Sequence, residues 1–195
     1  MMRRYFLIYK PYGVLSQFTP EAAGQRTLAD VFRLPGGVYP LGRLDQDSEG
    51  LLLLSDDPAL NHLLLDPRHA HPRSYLAQVE GLPSAEALQR LAAGVEIRVQ
   101  GRAYRTLPAR VQAVAAPSLP PRDPPIRFRK TVPDAWVELT LTEGKNRQVR
   151  RMCAAVGLPV LRLVRVAIGG LGLGALTPGA QREISREELR QGLGI

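Results

Sequence analysis

The sequence predicts an α+β protein built on a mixed, mostly antiparallel sheet flanked by helices. Two patterns carry this. Short apolar or alternating runs, closed by Gly and Pro, recur along the chain, and those after residue 95 follow one another around a Gln100-Gly101 hairpin turn as a meander would. Capped amphipathic stretches interrupt them near residues 57, 84 and 146. With 195 residues, 45% hydrophobic and 23% charged, the chain has ordinary globular composition and enough apolar side chains for a substantial core. One domain over 1–195 is expected, divisible into a smaller lobe at about 1–60 and a larger one at about 61–195.

The elements follow from the order of the residues. Tyr5 to Tyr9 is a buried strand stopped by Lys10-Pro11-Tyr12-Gly13, and Val14 to Phe18 a short strand after that turn. Thr27, with Asp30 three residues on and Leu28, Val31 and Phe32 on one face, starts a helix that Pro35-Gly36-Gly37 ends. Leu51 to Leu54 is a core strand. Asp57-Pro58 opens a helix with Leu60, Leu63 and Leu64 inward. Arg73 to Glu80 alternates with Tyr75, Ala77 and Val79 on one face, and Ser84 caps a helix that Gly94 ends. Strands at Val95–Val99, Ala103–Leu107 and Ala109–Ala115 precede a proline loop, and Trp136 to Thr142 resumes the alternation. Asn146 is expected to cap a helix burying Val149, Met152, Cys153 and Val156, with Arg147, Arg150 and Arg151 on another face. Val160 to Ile168 is a strand bearing Arg162 and Arg165. The glycines at 169, 170, 172 and 174 match no phosphate-loop spacing and mark a close backbone approach. Ser185 with Glu188 caps a last helix.

Charge is distributed unevenly. The net charge is +8, from 23 arginines and only three lysines against 18 acids. Arginine's planar fork suits bidentate phosphate contacts, so this balance favours a nucleic-acid partner. From Gly144 to Arg182 there is no Asp or Glu, and the start of the helix after Lys145 offers free N–H groups to an anion. Conversely, no Lys or Arg occurs from Leu44 to Leu65, where Gly42-Arg43-Leu44-Asp45-Gln46-Asp47-Ser48-Glu49-Gly50 runs into the leucine strand. Acids on a loop at the mouth of a core strand are placed as catalytic carboxylates are. Asp45, Asp47 and Glu49 alternate and would share one side of an extended strand. A cationic neighbour such as Lys145 would keep one of them ionised, the state a nucleophile or base needs.

Other classes are excluded or weakened. The single cysteine, Cys153, rules out an internal disulfide, and His62, His69 and His71 have no thiolate partners; the His69-x-His71 pair is better explained as basic loop than as a metal site. No metal and no cofactor is expected. The Tyr5–Tyr9 run is too short for a signal-peptide core or a membrane span, so a cytoplasmic location is expected; separately, a monomer is expected.

Three motifs resemble those of RNA pseudouridine synthases of the RsuA type. Tyr39-Pro40-Leu41-Gly42-Arg43-Leu44-Asp45, with Ser48, Gly50 and the leucines, is similar to the catalytic motif; Glu143 to Met152 is similar to a second signature and Lys10 to Val14 to the opening one. Their order is the family's, and the nearest likeness is to the RluE branch, which acts on large-subunit ribosomal RNA. The resemblance implies the pseudouridine synthase catalytic fold with a central RNA-binding cleft, no S4 domain ahead of Tyr5, base flipping, and no cofactor. It further implies that Asp45 is the essential carboxylate, that Arg43 enters the RNA helix or steadies the flipped nucleotide, and that Tyr75 packs on the target base, Arg73 standing where the family has Lys. Lys145 takes the place of the aspartate's basic partner, with Arg147 as the alternative, and Val149 lines the uracil pocket. Arg147, Arg150, Arg151, Arg162 and Arg165 are candidate RNA contacts.

Two other classes fit parts of the pattern. A non-catalytic, ribosome-associated RNA-binding protein needs only the arginines, and a glycosidase-like hydrolase could use Asp45 with Asp47 or Glu49.

Overall fold

The structure, a computed structural model, describes residues 3–65, 71–126, 129 and 131–195. In chain order the strands and helices are β1 (Tyr5–Lys10), β2 (Tyr39–Pro40), β3 (Glu49–Ser55), α1 (Ala59–Leu65), β4 (Arg73–Glu80), α2 (Ala85–Ala93), β5 (Glu96–Val99), β6 (Arg102–Arg105), β7 (Arg110–Val114), β8 (Asp134–Leu141), α3 (Gln148–Ala155), β9 (Val160–Ile168), β10 (Leu171–Gly172), β11 (Gln181–Ile184) and α4 (Arg186–Leu193). This is the expected α+β class, with a mostly antiparallel sheet. Two compact units result, Met1–His71 with Arg165–Ile195, and Pro72–Val164.

In the first unit β1 pairs antiparallel with β11 on one side and β3 on the other, Leu7 opposite Leu53. Both β1 and β3 are buried along their whole length, as continuous apolar runs require. Phe6, Ile8, Leu52 and Leu54 pack with Val14, Leu28, Phe32 and Val38 on one side of the sheet. In α1, Asp57 Oδ1 accepts from the Ala59 N–H (3.1 Å), as the capping signal predicts. Asp56 turns back instead and accepts from the Arg4 N–H at 2.8 Å. The glycine stretch is a close approach, the Gly170 N–H reaching the Gly192 carbonyl at 2.6 Å. Ser185 accepts from the Glu188 N–H (3.0 Å) at the start of α4.

In the second unit β8 lies between β4 and β7, antiparallel to both, with Ala77 opposite Val137 and Val111 opposite Leu139. Ala77, Val79, Val137, Leu139 and Leu141 meet Leu91 of α2 and Val149, Met152 and Cys153 of α3. Gln100 and Gly101 both take positive φ in the β5–β6 turn, the conformation a two-residue hairpin needs.

Four expectations are corrected. Val14 makes a single bridge to Arg26 rather than opening a strand. The Thr27 helix is one 3-10 turn, Leu28–Asp30; Thr27 N–H does reach Asp30 Oδ2 (2.7 Å), but Pro35 and two glycines follow too soon for propagation. β5 and β6 form a separate two-stranded sheet while β7 joins β8, so there is no continuous meander. The start of α3 is occupied by Arg147 in the left-handed region (φ 52°), not by Asn146 as cap. His69 lies outside the described residues.

Candidate active site

The acidic segment of the first unit stands on a rigid base. Gly50 in β3 has φ +110°, and a Cβ there would overlap the Arg165 carbonyl and lie 2.7 Å from the Arg165 nitrogen, so the two backbones meet with no room for a side chain. One step upstream, the Ser48 N–H donates to the Asp45 carbonyl (3.0 Å) and closes a turn over Gln46 and Asp47. The three acids therefore do not line one extended strand: Asp45 and Asp47 are half-buried around the turn, whereas Glu49, in β3, is 2% exposed. Buried Ser16 fixes Leu44 from both sides, its Oγ accepting from Leu44 N–H (3.0 Å) and donating to the Leu44 carbonyl (2.7 Å). Asp45 thus follows an immobilised residue. Arg43 points outward and meets Glu21 at 3.8 Å, both side chains being largely exposed.

At the end of β1, Lys10 is fully buried. Its Nζ donates to the carbonyls of Val14 (2.6 Å), Pro11 (3.0 Å) and Gln46 (3.5 Å). Burial pulls the ammonium down to about 7, opposed by the negative charge of Glu49, Asp47 and Asp45 and reinforced by Arg165. A cation thus accompanies the acids from within their own unit.

The second unit holds the other predicted residues except Arg165, which belongs to the first. Tyr75 lies in β4 opposite Leu139 and packs, partly buried, on the core; Val149 is buried in the same cluster. Lys145 is exposed, its Nζ 4.8 Å from the centre of the Tyr104 ring. Tyr104 OH hydrogen-bonds to Glu143 Oε2, whose other oxygen accepts from Leu107 N–H (2.8 Å) and Gln148 Nε2 (2.6 Å). That hydrogen bond to Glu143, then burial, raises the Tyr104 phenol above its usual range. Gln148 Oε1 in turn accepts from Lys145 N–H (2.8 Å), so one carboxylate and one amide shape the 143–148 loop.

The arginines separate by environment. Arg147 is exposed. Arg150 is partly buried and donates to the Val160 carbonyl (3.2 Å), and Arg151 to the Arg98 carbonyl and to Asn146 Oδ1 (3.1 Å). Arg162 and Arg165 are only 5% and 4% exposed, and Arg165 Nε donates to the Leu51 carbonyl (2.8 Å). These last two, expected among the RNA contacts, thus have embedded side chains. The lone thiol, Cys153, is buried and pushed up to about 12, and offers no nucleophile near neutral pH. Among the described residues no group of three or more His, Cys, Asp or Glu could hold a metal ion, and no helix is long and apolar enough to cross a membrane.

A carboxylate fixed on a turn at the head of a buried strand, in a basic chain, is suited to act as nucleophile or base on a polyanion. The sequence model of the family described as RNA pseudouridylate synthase matches residues 4–155, a span that includes this turn. The chain belongs to that family. It is 62% identical over 174 residues to the ribosomal large subunit pseudouridine synthase E of Xanthomonas axonopodis pv. citri, covering 88% of this chain and 89% of that protein. To the protein of the same name from Vibrio parahaemolyticus it is 46% identical over 182 residues, covering 93% and 74%. A crystal structure of a pseudouridylate synthase matches with a TM-score of 0.79 at 28% identity, over 98% of this chain and 74% of that one. The resemblance to RsuA-type enzymes of the RluE branch is borne out, and with it an isomerase.

For a pseudouridylate synthase of this kind, three features lay outside the sequence reasoning. Lys10 figured there only as part of a motif, and Ser16 and the Glu143–Tyr104–Gln148 contacts did not figure at all. Lys10 had a usable signal: in a chain with 23 arginines, each of three lysines marks a place where a compact ammonium is kept over a guanidinium fork.

Proposed function

We propose that this protein converts a specific uridine of large-subunit ribosomal RNA to pseudouridine, with Asp45 as the essential carboxylate. The observation that carries this is the family match running through a half-buried Asp45 held at the head of a fully buried strand. The two relatives named as large-subunit synthases support the choice of RNA. In the reaction the N1–C1′ glycosidic bond breaks, the uracil rotates, and C5 bonds to C1′; every atom of the uridine is retained, and no redox partner or net water enters. Asp45 serves by attacking carbon or by removing a ribose proton. Both routes require the carboxylate ionised and the nucleotide out of its stack.

Unstacking costs a few kcal/mol, which stacking on Tyr75 and contacts to phosphate offset. Lys145 is assigned as the cation that supports Asp45, with Arg147 as the alternative, and Val149 as part of the uracil pocket. Arg43, Arg147, Arg150 and Arg151 hold the RNA in its cleft, while Arg162 and Arg165 add positive potential from within. The enzyme acts as a cytoplasmic monomer and a single catalytic domain. Pseudouridine mapping of ribosomal RNA from cells with and without this protein tests the assignment. One large-subunit uridine should lose its modification when the protein is absent; an unchanged map contradicts it.

A further inference from the structure

The β5–β6 hairpin of the second unit carries charge that the reaction and its assigned residues do not use. Ile97 and Tyr104 lie opposite each other and turn inward: Ile97 belongs to the core, and Tyr104 packs against it. The strand period of two then sends Glu96, Arg98, Ala103 and Arg105 to the outer face, where all four are exposed. Arg98 is paired with Ala103, so Arg105 is its diagonal neighbour, about 7–8 Å away. Arg102, beside the turn, is exposed as well.

These three guanidinium groups stand apart from acids. Elsewhere on the surface Arg4, Arg129 and Arg182 are tied to Glu183, Glu80 and Glu188 at 2.8, 3.1 and 2.7 Å. The side chains of Arg98, Arg102 and Arg105 make no hydrogen bond or ion pair among the described residues, and Glu96, although opposite Arg105, makes no ion pair with it. Like charges gathered without counter-charges raise the local potential and oppose folding until an anion completes them.

The hairpin is also held against the basic loop. Lys145 Nζ sits 4.8 Å from the centre of the Tyr104 ring, Tyr104 OH bonds to Glu143, and Arg151 donates to the Arg98 carbonyl. The exposed arginines therefore prolong, on a two-stranded support, the surface that bears Lys145 and Arg147. Because its one aromatic ring is already engaged by Lys145 and Glu143, the hairpin gives a base nothing to stack on. What it offers is guanidinium forks, which match phosphate.

We propose that Arg98, Arg102 and Arg105 form a second RNA-binding surface, which takes the phosphate backbone of the substrate away from the reacting nucleotide and reads no sequence. This rests on the reading of the protein as an rRNA pseudouridine synthase. Such a surface adds salt-dependent affinity and leaves the rate of the bound complex alone.

The test compares wild type with three triple variants: Arg98→Gln/Arg102→Gln/Arg105→Gln, the same three positions changed to Lys, and Arg26→Gln/Arg33→Gln/Arg186→Gln, which removes equal charge from exposed positions of the first unit. Affinity is followed against salt for an rRNA fragment and for an unrelated RNA duplex of equal length, and single-turnover conversion is measured at saturating fragment. The hairpin Gln variant should lose about 2 from the slope of log affinity against log salt on both RNAs, at about 0.7 to 0.9 per phosphate contact, with the saturating rate within about twofold of wild type. The Lys variant and the first-unit variant should both stay within about 0.5 of the wild-type slope. Should the hairpin Gln variant fail to fold by circular dichroism, Arg102→Gln alone decides, with an expected loss of about 0.7 to 0.9. A wild-type slope in the folded Gln variant or in that single variant, an equal loss in the first-unit variant, a Lys variant no better than the Gln variant, or a loss confined to the rRNA fragment overturns the proposal. Wild type that forms no pseudouridine refutes the reading as a synthase instead, whatever the salt slopes.

Discussion

The acidic turn of the first unit and the basic loop of the second solve opposite problems. Around Asp45 the supporting groups are buried: Lys10 and Ser16 spend their polar atoms on backbone carbonyls and amides, and Gly50 admits no side chain. Around Lys145 the charges are exposed, and the buried contacts, from Glu143 and Gln148, serve only to shape the loop beneath them. A reacting group needs a fixed direction, which burial and hydrogen bonds provide; a group that grips a mobile polyanion needs access and net charge. Chemistry and grip should therefore respond differently to substitution.

The largest effect is expected at the base of the acidic turn. Gly50→Ala would force a Cβ against the Arg165 backbone at a positive φ and should cost about 3 kcal/mol or more of unfolding free energy, read by urea melts. A wild-type melting curve would mean that the strands part easily there. Next, Lys145→Met, the one change in the basic loop aimed at the proposed support of Asp45 and not at grip, should slow single-turnover conversion by about tenfold while leaving the fold intact, since its side chain is exposed; an unaffected rate passes its role to Arg147.

Smaller still is a contrast within one helix. Arg147→Ala should reduce the slope of log affinity against log salt by about 0.7 to 0.9, and Arg150→Ala, whose guanidinium is engaged by the Val160 carbonyl, by much less. Equal slopes would erase the distinction between the exposed Arg147 and the partly buried Arg150.

The last concerns Lys10 and pH. Its ammonium lies near 7 in the folded protein against 10.5 ordinarily, so between those values the unfolded chain binds more protons, and stability from this group rises with pH. The stability of wild type relative to Lys10→Met should thus increase from pH 7.5 to pH 9.5 in urea melts. A constant difference would mean that burial does not penalise the charge.

Where side chains repeat with a period, the fold was legible. β3, β4, β8, β9 and α2 lie where alternation and caps place them, because burial of one or both faces enforces those patterns. β11 was not, since Gln181, Arg182 and Glu183 are exposed and only its pairing with β1 makes it a strand. The acidic segment could be singled out because acids before a leucine run are locally conspicuous, whereas the choice of Asp45 over Asp47 and Glu49 came only from the family resemblance. Lys10 could not be assigned its contacts, because its partners are carbonyl oxygens, which every residue has, supplied by a turn 36 positions away in the case of Gln46. The left-handed Arg147 was hidden for a similar reason: the Gln148 N–H at the start of α3 is met by the Lys145 carbonyl (3.1 Å), an acceptor every residue carries, and the Arg147 side chain makes no capping hydrogen bond.

The most direct test of the division between chemistry and grip is Asp45→Asn, assayed for both pseudouridine formation and RNA affinity on the same rRNA fragment. Replacing one oxygen by an amide leaves size and fold unchanged while removing the charge. The variant should form no detectable product, a loss of at least about a thousandfold, with affinity within about threefold of wild type. Product formed at a rate near that of wild type would contradict it.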